Sequence, residues 1–391
     1  MSKRRGIEAS AAVAEAVAAA NVDVIAAYPI TPQTHIVERI SEIVADGILD
    51  AEFICVESEH SALSACLGSA AVGARTFTAT AGQGLELMHE VLYVTASMRL
   101  PVVMVVANRA LSGPLNVWGD HSDVMAARDC GWIQYFAENA QEVYDLTICA
   151  FRIAEDHRCL FPVMVNMDGF HVSHVVEPVE LLDRDAVASF LPPNRYPLPL
   201  HPDRPVTMGA FAPPVLYTEC RTAQEEALRA TFPVIKEAWD DFANRFGRRY
   251  APVETYRLDG AECVLVVMGS FAETAAAVID RLRDAGKPVG LIRLRLWRPF
   301  PFAEIRQALS NARIVIVCDR SISYGGPGGP VCSELKAALF GHAHQPRIVS
   351  FIAGLGGRDI LPEQFASMVD RATEIVERNL PVDYEIIGVR Q

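Results

Sequence analysis

Four short stretches of the sequence hold side chains that could do chemistry: Tyr28-Pro29-Ile30-Thr31-Pro32, Glu57-Ser58-Glu59-His60, Ala81-Gly82-Gln83-Gly84 and Asn108-Arg109-Ala110-Leu111. Between them they supply a hydroxyl at Thr31, a carboxyl at Glu59, a glycine-framed turn from Gly82 to Gly84, and a guanidinium at Arg109. A carboxyl can share a proton with a ligand nitrogen, and a guanidinium offers a forked, permanent charge to a carboxylate. Each stretch also has a plainer reading. Thr31 could cap the next helix, Glu59 could complement a helix dipole, the glycines could serve only a tight turn, and Arg109 could be a surface cation. Their co-occurrence favours a shared crevice, because ligands of open α/β sheets gather at the carboxyl ends of strands.

The elements that would position them are legible as apolar runs at 22–30, 51–58, 74–81, 101–108 and 162–169. These runs are apolar nearly throughout instead of alternating, which predicts strands of a parallel sheet buried on both faces. Helices at 33–46 and 60–72 then serve as crossovers. Repeated prolines at 191–215 exclude both helix and central strand. A charged amphipathic helix is predicted at 217–247, followed by strands at 263–270, 288–295, 313–320 and 347–354. The fold class is α/β, with a first domain over 1–235, including the proline-rich excursion, and a second over 260–391.

At 391 residues and 51 % hydrophobic composition, the chain is long enough for two cores. Its 48 acidic and 35 basic residues give a net charge of -13, and no basic stripe is present, which argues against a nucleic-acid partner. The opening basic and Ala-rich run is broken by Glu8 and Glu15, so a first helix is expected there in place of a signal peptide. No window of about 18 uncharged apolar residues occurs, so no membrane span is expected and the location read from the sequence is cytoplasmic. The nine cysteines are scattered singly, without a Cys-x-x-Cys pair. They are expected to be buried free thiols, with no iron–sulfur or zinc site in this chain.

The text YPITP (28–32), ESEHSA (57–62), GARTFTATAGQGLELMHE (73–90), NRALSGPLNVWGDHSD (108–123), GWIQYFAENAQE (131–142), FANRFGRRY (242–250) and LRLWRPFP (294–301) resembles, in order along the chain, the pyruvate:ferredoxin oxidoreductase family, more broadly the 2-oxoacid:acceptor oxidoreductases. The resemblance implies an α-type subunit whose first domain contacts the aminopyrimidine of thiamine diphosphate and whose second is similar to the transketolase carboxyl-terminal domain. By the same resemblance Glu59 bonds the pyrimidine nitrogen and activates the cofactor. Pro29, Ile30, Gly82 and Gln83 join Glu59 in cofactor binding, and Thr31 and Arg109 hold the 2-oxoacid. The segment 112–123 forms a pocket wall, with His121 and Asp123 open to a capping or structural role.

No Gly-Asp-Gly with a downstream Asn is present, and Asp168-Gly169 lacks a second anchor. The resemblance therefore implies that a β subunit holds the diphosphate and Mg2+. Further γ and ferredoxin-like δ subunits would carry [4Fe-4S] clusters, passing electrons to an external acceptor, with coenzyme A as co-substrate. Gly113-Pro114-Leu115-Asn116-Val117 stands where members specialised for pyruvate often have Ala-Pro-Ile-Asn-Ile. Pyruvate is the default acid, with an aryl acid such as phenylglyoxylate as the alternative. Two rival expectations are a non-redox split thiamine enzyme and a non-catalytic structural subunit.

Overall fold

The computed structural model describes residues 3–390. Its first half contains β1 (Lys3–Glu8), β2 (Val24–Ala27), β3 (Glu52–Cys55), β4 (Thr76–Thr80), β5 (Val102–Asn108), β6 (Ile133–Phe136), β7 (Val163–Asp168) and β8 (Val176–Leu181). Its second half contains β9 (Val253–Tyr256), β10 (Cys263–Val267), β11 (Val289–Leu294), β12 (Leu296–Arg298), β13 (Ile314–Asp319), β14 (Arg347–Ile352) and β15 (Glu385–Ile386). A seven-stranded sheet has the order β12-β6-β7-β5-β4-β2-β3, and a six-stranded sheet has the order β15-β14-β13-β10-β11-β9. In the first, β4 to β7 are buried at every residue, as two-sided burial of a parallel sheet requires. The helix Thr34–Ala45 shows how the crossovers pack: Ile36, Val37, Ile40 and Ile43 fall on one buried stripe.

Four differences from the sequence reading have physical causes. Residues 3–8 form β1 instead of helix, because they pair antiparallel with β8 from Lys3↔Leu181 to Glu8↔Val176, and the first helix is Ala9–Ala19. The strand at 51–58 shrinks to β3, an edge strand with Glu52 and Cys55 exposed, so it is not covered on both faces. The helix at 217–247 is two helices, Pro214–Arg229 and Thr231–Phe246. The second buries Val234, Ile235, Trp239 and Phe242, while the first leaves Val215, Leu216 and Tyr217 exposed. All nine cysteines are free thiols, but Cys55 and Cys220 are exposed, not buried.

The halves are fused. Strand β12 crosses over to pair antiparallel with β6, and one apolar cluster joins Ala26, Leu63 and Trp132 of the first half to Val264, Ile292 and Leu335 of the second. Buried Arg295 reinforces this seam through Glu142 of the first half at 2.6 Å, while Glu254 of its own half holds it at 2.9 Å. Among the described residues no helix is long and apolar enough to cross a membrane.

Candidate functional site

Glu59 opens the helix Glu59–Ala71 because Ser58 is extended and its hydroxyl accepts the Ser61 N–H at 3.2 Å. Glu59 is only 6 % exposed, yet among the described residues its carboxyl has no hydrogen-bond or ion-pair partner. Gly84 closes over it. A Cβ there would stand 2.8 Å from Glu59 Oε1 and 2.5 Å from Thr80 Oγ1, so a larger residue would occupy the carboxyl's own space. Thr80 Oγ1 and Gln83 Oε1 are buried without protein partners among the described residues. A secluded carboxyl with only a helix N-terminus to favour its charge has unspent hydrogen-bonding capacity. It can bond a ligand donor or share a proton with it.

Arg109 follows β5 directly and is only 8 % exposed, so it is not a surface cation. Its Nε donates to Asn116 O at 2.9 Å and its Nη1 to Thr31 O at 3.1 Å, which leaves Nη2 without a partner among the described residues. Burial lowers its pKa, and the nearby Asp123 charge opposes that. A Cβ on Gly82, where φ is +47°, would stand 3.0 Å from Arg109 Cδ. The Gly82–Gly84 turn thus has Arg109 on one flank and Glu59 on the other.

Asp123 locks these strand ends together. Its Oδ2 accepts the Gly82 N–H at 3.0 Å and the Arg109 N–H at 2.9 Å, while its Oδ1 accepts Asn108 Nδ2 at 3.0 Å and the Val124 N–H at 2.7 Å. Burial pushes its carboxyl up to about 6 against the pull of those bonds. The Thr31 turn is fixed separately, by Gln33 Nε2 donating to Ala79 O at 2.7 Å. Thr31 is exposed and does not cap the helix Thr34–Ala45, whose N-cap is Gln33. In the same turn Pro29 is exposed, and Ile30 packs on the first-half core.

Asp168, at the end of β7, is a fully committed carboxylate. Its Oδ1 lies 2.8 Å from His121 Nε2 and pairs with Arg320 Nη1 at 2.8 Å, an ion pair oblique to hydrogen-bond geometry. Its Oδ2 accepts the Ser270 N–H at 2.8 Å and hydroxyl at 2.5 Å. Burial alone would raise its pKa, but Arg320 and His121 outweigh burial and hold it well below the usual carboxylate range. Since Ser270 and Arg320 come from the second half, this cluster rivets the seam beside the site. His121 and Asp123, left open as a pair by the sequence, serve separate clusters. Among the described residues no group of three or more His, Cys, Asp or Glu side chains is placed to hold a metal ion.

Residues 15–239 match the family model for the pyruvate flavodoxin/ferredoxin oxidoreductase thiamine-diphosphate-binding region, and 261–365 match pyruvate:ferredoxin oxidoreductase core domain II. The chain belongs to this family. It is an alpha-type subunit of a 2-oxoacid:ferredoxin oxidoreductase. The subunit is 47 % identical to pyruvate synthase subunit PorA of Pyrococcus furiosus, over 96 % of this chain and 94 % of that one. It is 49 % identical to PorA of Methanocaldococcus jannaschii over 93 % of each. It is 40 % identical to ketoisovalerate oxidoreductase subunit VorA of Pyrococcus abyssi over 96 % and 94 %. Its fold is shared with a 2-oxoglutarate:ferredoxin oxidoreductase from Magnetococcus marinus, at TM-score 0.71 and 20 % identity, over 95 % of this chain and 65 % of that one. A split-gene transketolase shares it at TM-score 0.55 and 12 % identity, over 95 % and 99 %.

The subunit therefore brings Thr31, Glu59, Gly82, Gln83 and Arg109 to adjoining strand ends. Sequence reasoning missed the residues that hold them, Asn108, Asn116 and Asp123 in its tying role. One signal was available: Asn166 interrupts the apolar run of β7 and Asn108 closes that of β5, and their side chains meet at 3.2 Å.

Proposed function

We propose that this subunit supplies the aminopyrimidine-facing half of a thiamine diphosphate site in an enzyme that oxidatively decarboxylates a 2-oxoacid, pyruvate by default, with coenzyme A. The observation that carries the reading is Glu59, a secluded carboxyl without a partner among the described residues, shaped around by Gly84. A pyrimidine nitrogen fits this corner as the missing hydrogen-bond partner, and the unpartnered Gln83 Oε1 lies next to Gly84 as a further acceptor. When bound, thiamine diphosphate supplies the carbanion chemistry that removal of carbon dioxide from a 2-oxoacid requires. Glu59 shares a proton with the ring nitrogen, Arg109 presents Nη2 to the acid's carboxylate, and Thr31 donates its hydroxyl to the same end of the acid.

The diphosphate and Mg2+ are assigned to a β subunit, because Asp168-Gly169, the nearest approach to a diphosphate motif here, is spent on His121, Ser270 and Arg320. Electrons leave through [4Fe-4S] clusters of γ and δ partners. Two PorA relatives at 47 % and 49 % identity support pyruvate, and the Magnetococcus structure, with coenzyme A and succinyl-CoA bound, supports coenzyme A. The test is to purify the assembled complex and supply pyruvate, branched 2-oxoacids and phenylglyoxylate with a viologen dye. Dye reduction that requires both an acid and coenzyme A is expected. Carbon dioxide release without dye reduction would establish a non-redox enzyme instead.

A further inference from the structure

We propose that the turn Leu355–Gly357 of the second half, which among the described residues makes no hydrogen bond to Glu59 or Arg109, sets the position of the Arg109 guanidinium and thereby which 2-oxoacid the site prefers. The inference rests on the reading of Arg109 as the residue that holds the acid's carboxylate, and it names what fixes that residue.

After β5 the chain folds back on itself, closed by the Ala110 N–H on Trp118 O at 2.9 Å and the Leu111 N–H on Ser122 Oγ at 2.9 Å. Within this loop Asn116 O receives Arg109 Nε at 2.9 Å, and is one of two backbone carbonyls that aim the guanidinium. Asn116 is itself gripped from both sides. Its Oδ1 accepts the Trp118 N–H at 2.7 Å, and its Nδ2 donates to Gly356 O at 3.1 Å. The same glycine donates its N–H to Asp120 Oδ2 at 3.0 Å, so the turn holds the loop at two points. Buried Asp120 passes that hold on, since its Oδ1 accepts both the N–H and the hydroxyl of Ser122.

The fit depends on glycine. At Gly356 (φ +58°) a Cβ would stand 2.5 Å from Asn116 Nδ2, and at Gly357 (φ +80°) it would stand 2.2 Å from Trp118 Cβ. Both backbones are also strained for any residue with a side chain. On its other side the Trp118 ring lies 5.9 Å from that of Phe170, so the loop is clamped between the turn and the segment after β7. Moving the turn moves Asn116 O, and Arg109 follows through its Nε. Because the guanidinium anchors one end of the acid, its shift changes how much length the site accepts at the other end.

The experiment compares Gly357→Ala, Asn116→Ala and Arg109→Lys in the assembled complex, over a panel of 2-oxoacids of increasing length. Gly357→Ala and Asn116→Ala are expected to raise the apparent constant for pyruvate about 10–10²-fold and to do so unequally along the panel. The rate of hydrogen–deuterium exchange at the thiazolium C2, which reports on Glu59, stays unchanged. Adding Gly357→Ala to Arg109→Lys then raises the constant less than the product of the single effects, as residues acting in one chain do. If Gly357→Ala does not assemble, Asn116→Asp decides beside Asn116→Ala, because it replaces only the donor to Gly356 O and keeps an oxygen for the Trp118 N–H. The inference fails if Arg109→Lys raises the constant while both other variants leave it unchanged for every acid. If Arg109→Lys is itself silent, the reading of Arg109 falls, and the inference falls with it.

Discussion

Two buried carboxyls stand at the amino end of a helix and the carboxyl end of a strand, a few elements apart, and they differ in what they touch. Asp168 is saturated by His121, Arg320 and both donors of Ser270, so nothing is left for a ligand. Glu59 is almost as inaccessible and has no partner among the described residues. Burial therefore does not separate a functional carboxyl from a structural one. What differs between these two is unmet hydrogen-bonding capacity, and burial is costly unless something supplies the missing bond. Asp168 belongs to the seam, and in the proposed function Glu59 belongs to the thiamine diphosphate site.

The largest effect expected is on Glu59. Glu59→Gln keeps the size but not the shared proton, so exchange at the thiazolium C2 in the assembled complex should slow about 10²–10⁴-fold, while stability changes by no more than about 1 kcal/mol. Unchanged exchange with cofactor bound would erase the distinction drawn above. Asp168→Asn should show the reverse pattern. It leaves Arg320 buried without its countercharge, at a cost of about 3–5 kcal/mol of stability, and complexes that do fold should exchange at the normal rate. A denaturant midpoint beside the exchange rate reads both variants. Slowed exchange in stable Asp168→Asn complexes would bring Asp168 into the chemistry.

The contrast also explains what the sequence could reveal. Strand β5 was legible because two-sided burial writes itself as an almost unbroken apolar run, and the strand-end rule, applied there and at the ends of β2, β3 and β4, pointed to Thr31, Glu59, Gly82 and Arg109. Strand β1 was not legible, since Lys3, Arg4 and Arg5 are exposed and owe their conformation to pairing with β8, far away in sequence. Strand β12, three residues long, likewise exists only because β6 is there to receive it. Among the polar residues, the sequence identified side chains that could meet a ligand, but not those that meet one another. Arg320 and Asp168 are 152 positions apart and acquire meaning only at the seam, and Asp123 acts through backbone N–H groups that no side-chain pattern records.

Arg109 tests the site half of the comparison at smaller scale. Arg109→Lys replaces a fork by a point charge and forfeits the bonds to Asn116 O and Thr31 O. The apparent 2-oxoacid constant should rise about tenfold, the worth of one charge-assisted hydrogen bond, with cofactor affinity little changed. Steady-state kinetics at saturating cofactor measures the first and calorimetry the second. A loss confined to cofactor affinity would move Arg109 from the acid to the cofactor.

The smallest effect concerns Asp123, which lies between the two extremes. It is as saturated as Asp168, but its donors are the Gly82, Arg109 and Val124 N–H groups and the Asn108 amide, with no cation among the described residues bonded to its oxygens. Neutral donors satisfy a carboxylate without cancelling its burial, which is why this carboxyl is pushed up to about 6 while that of Asp168 is held low. A buried acid with a raised pKa binds its proton more tightly when folded, so its contribution to stability grows as pH falls through 6 and is lost as pH rises. Between pH 7 and pH 6 the folded state takes up a fraction of a proton and the unfolded state almost none, which amounts to roughly 0.3 kcal/mol. Asp123→Asn cannot take up that proton. The stability gap between wild-type and variant complexes, measured by denaturant titration, should therefore widen in favour of wild type by that amount on going from pH 7 to pH 6. A gap that stays the same instead would mean Asp123 is held charged like Asp168, and that a cation reaches it in the assembled enzyme.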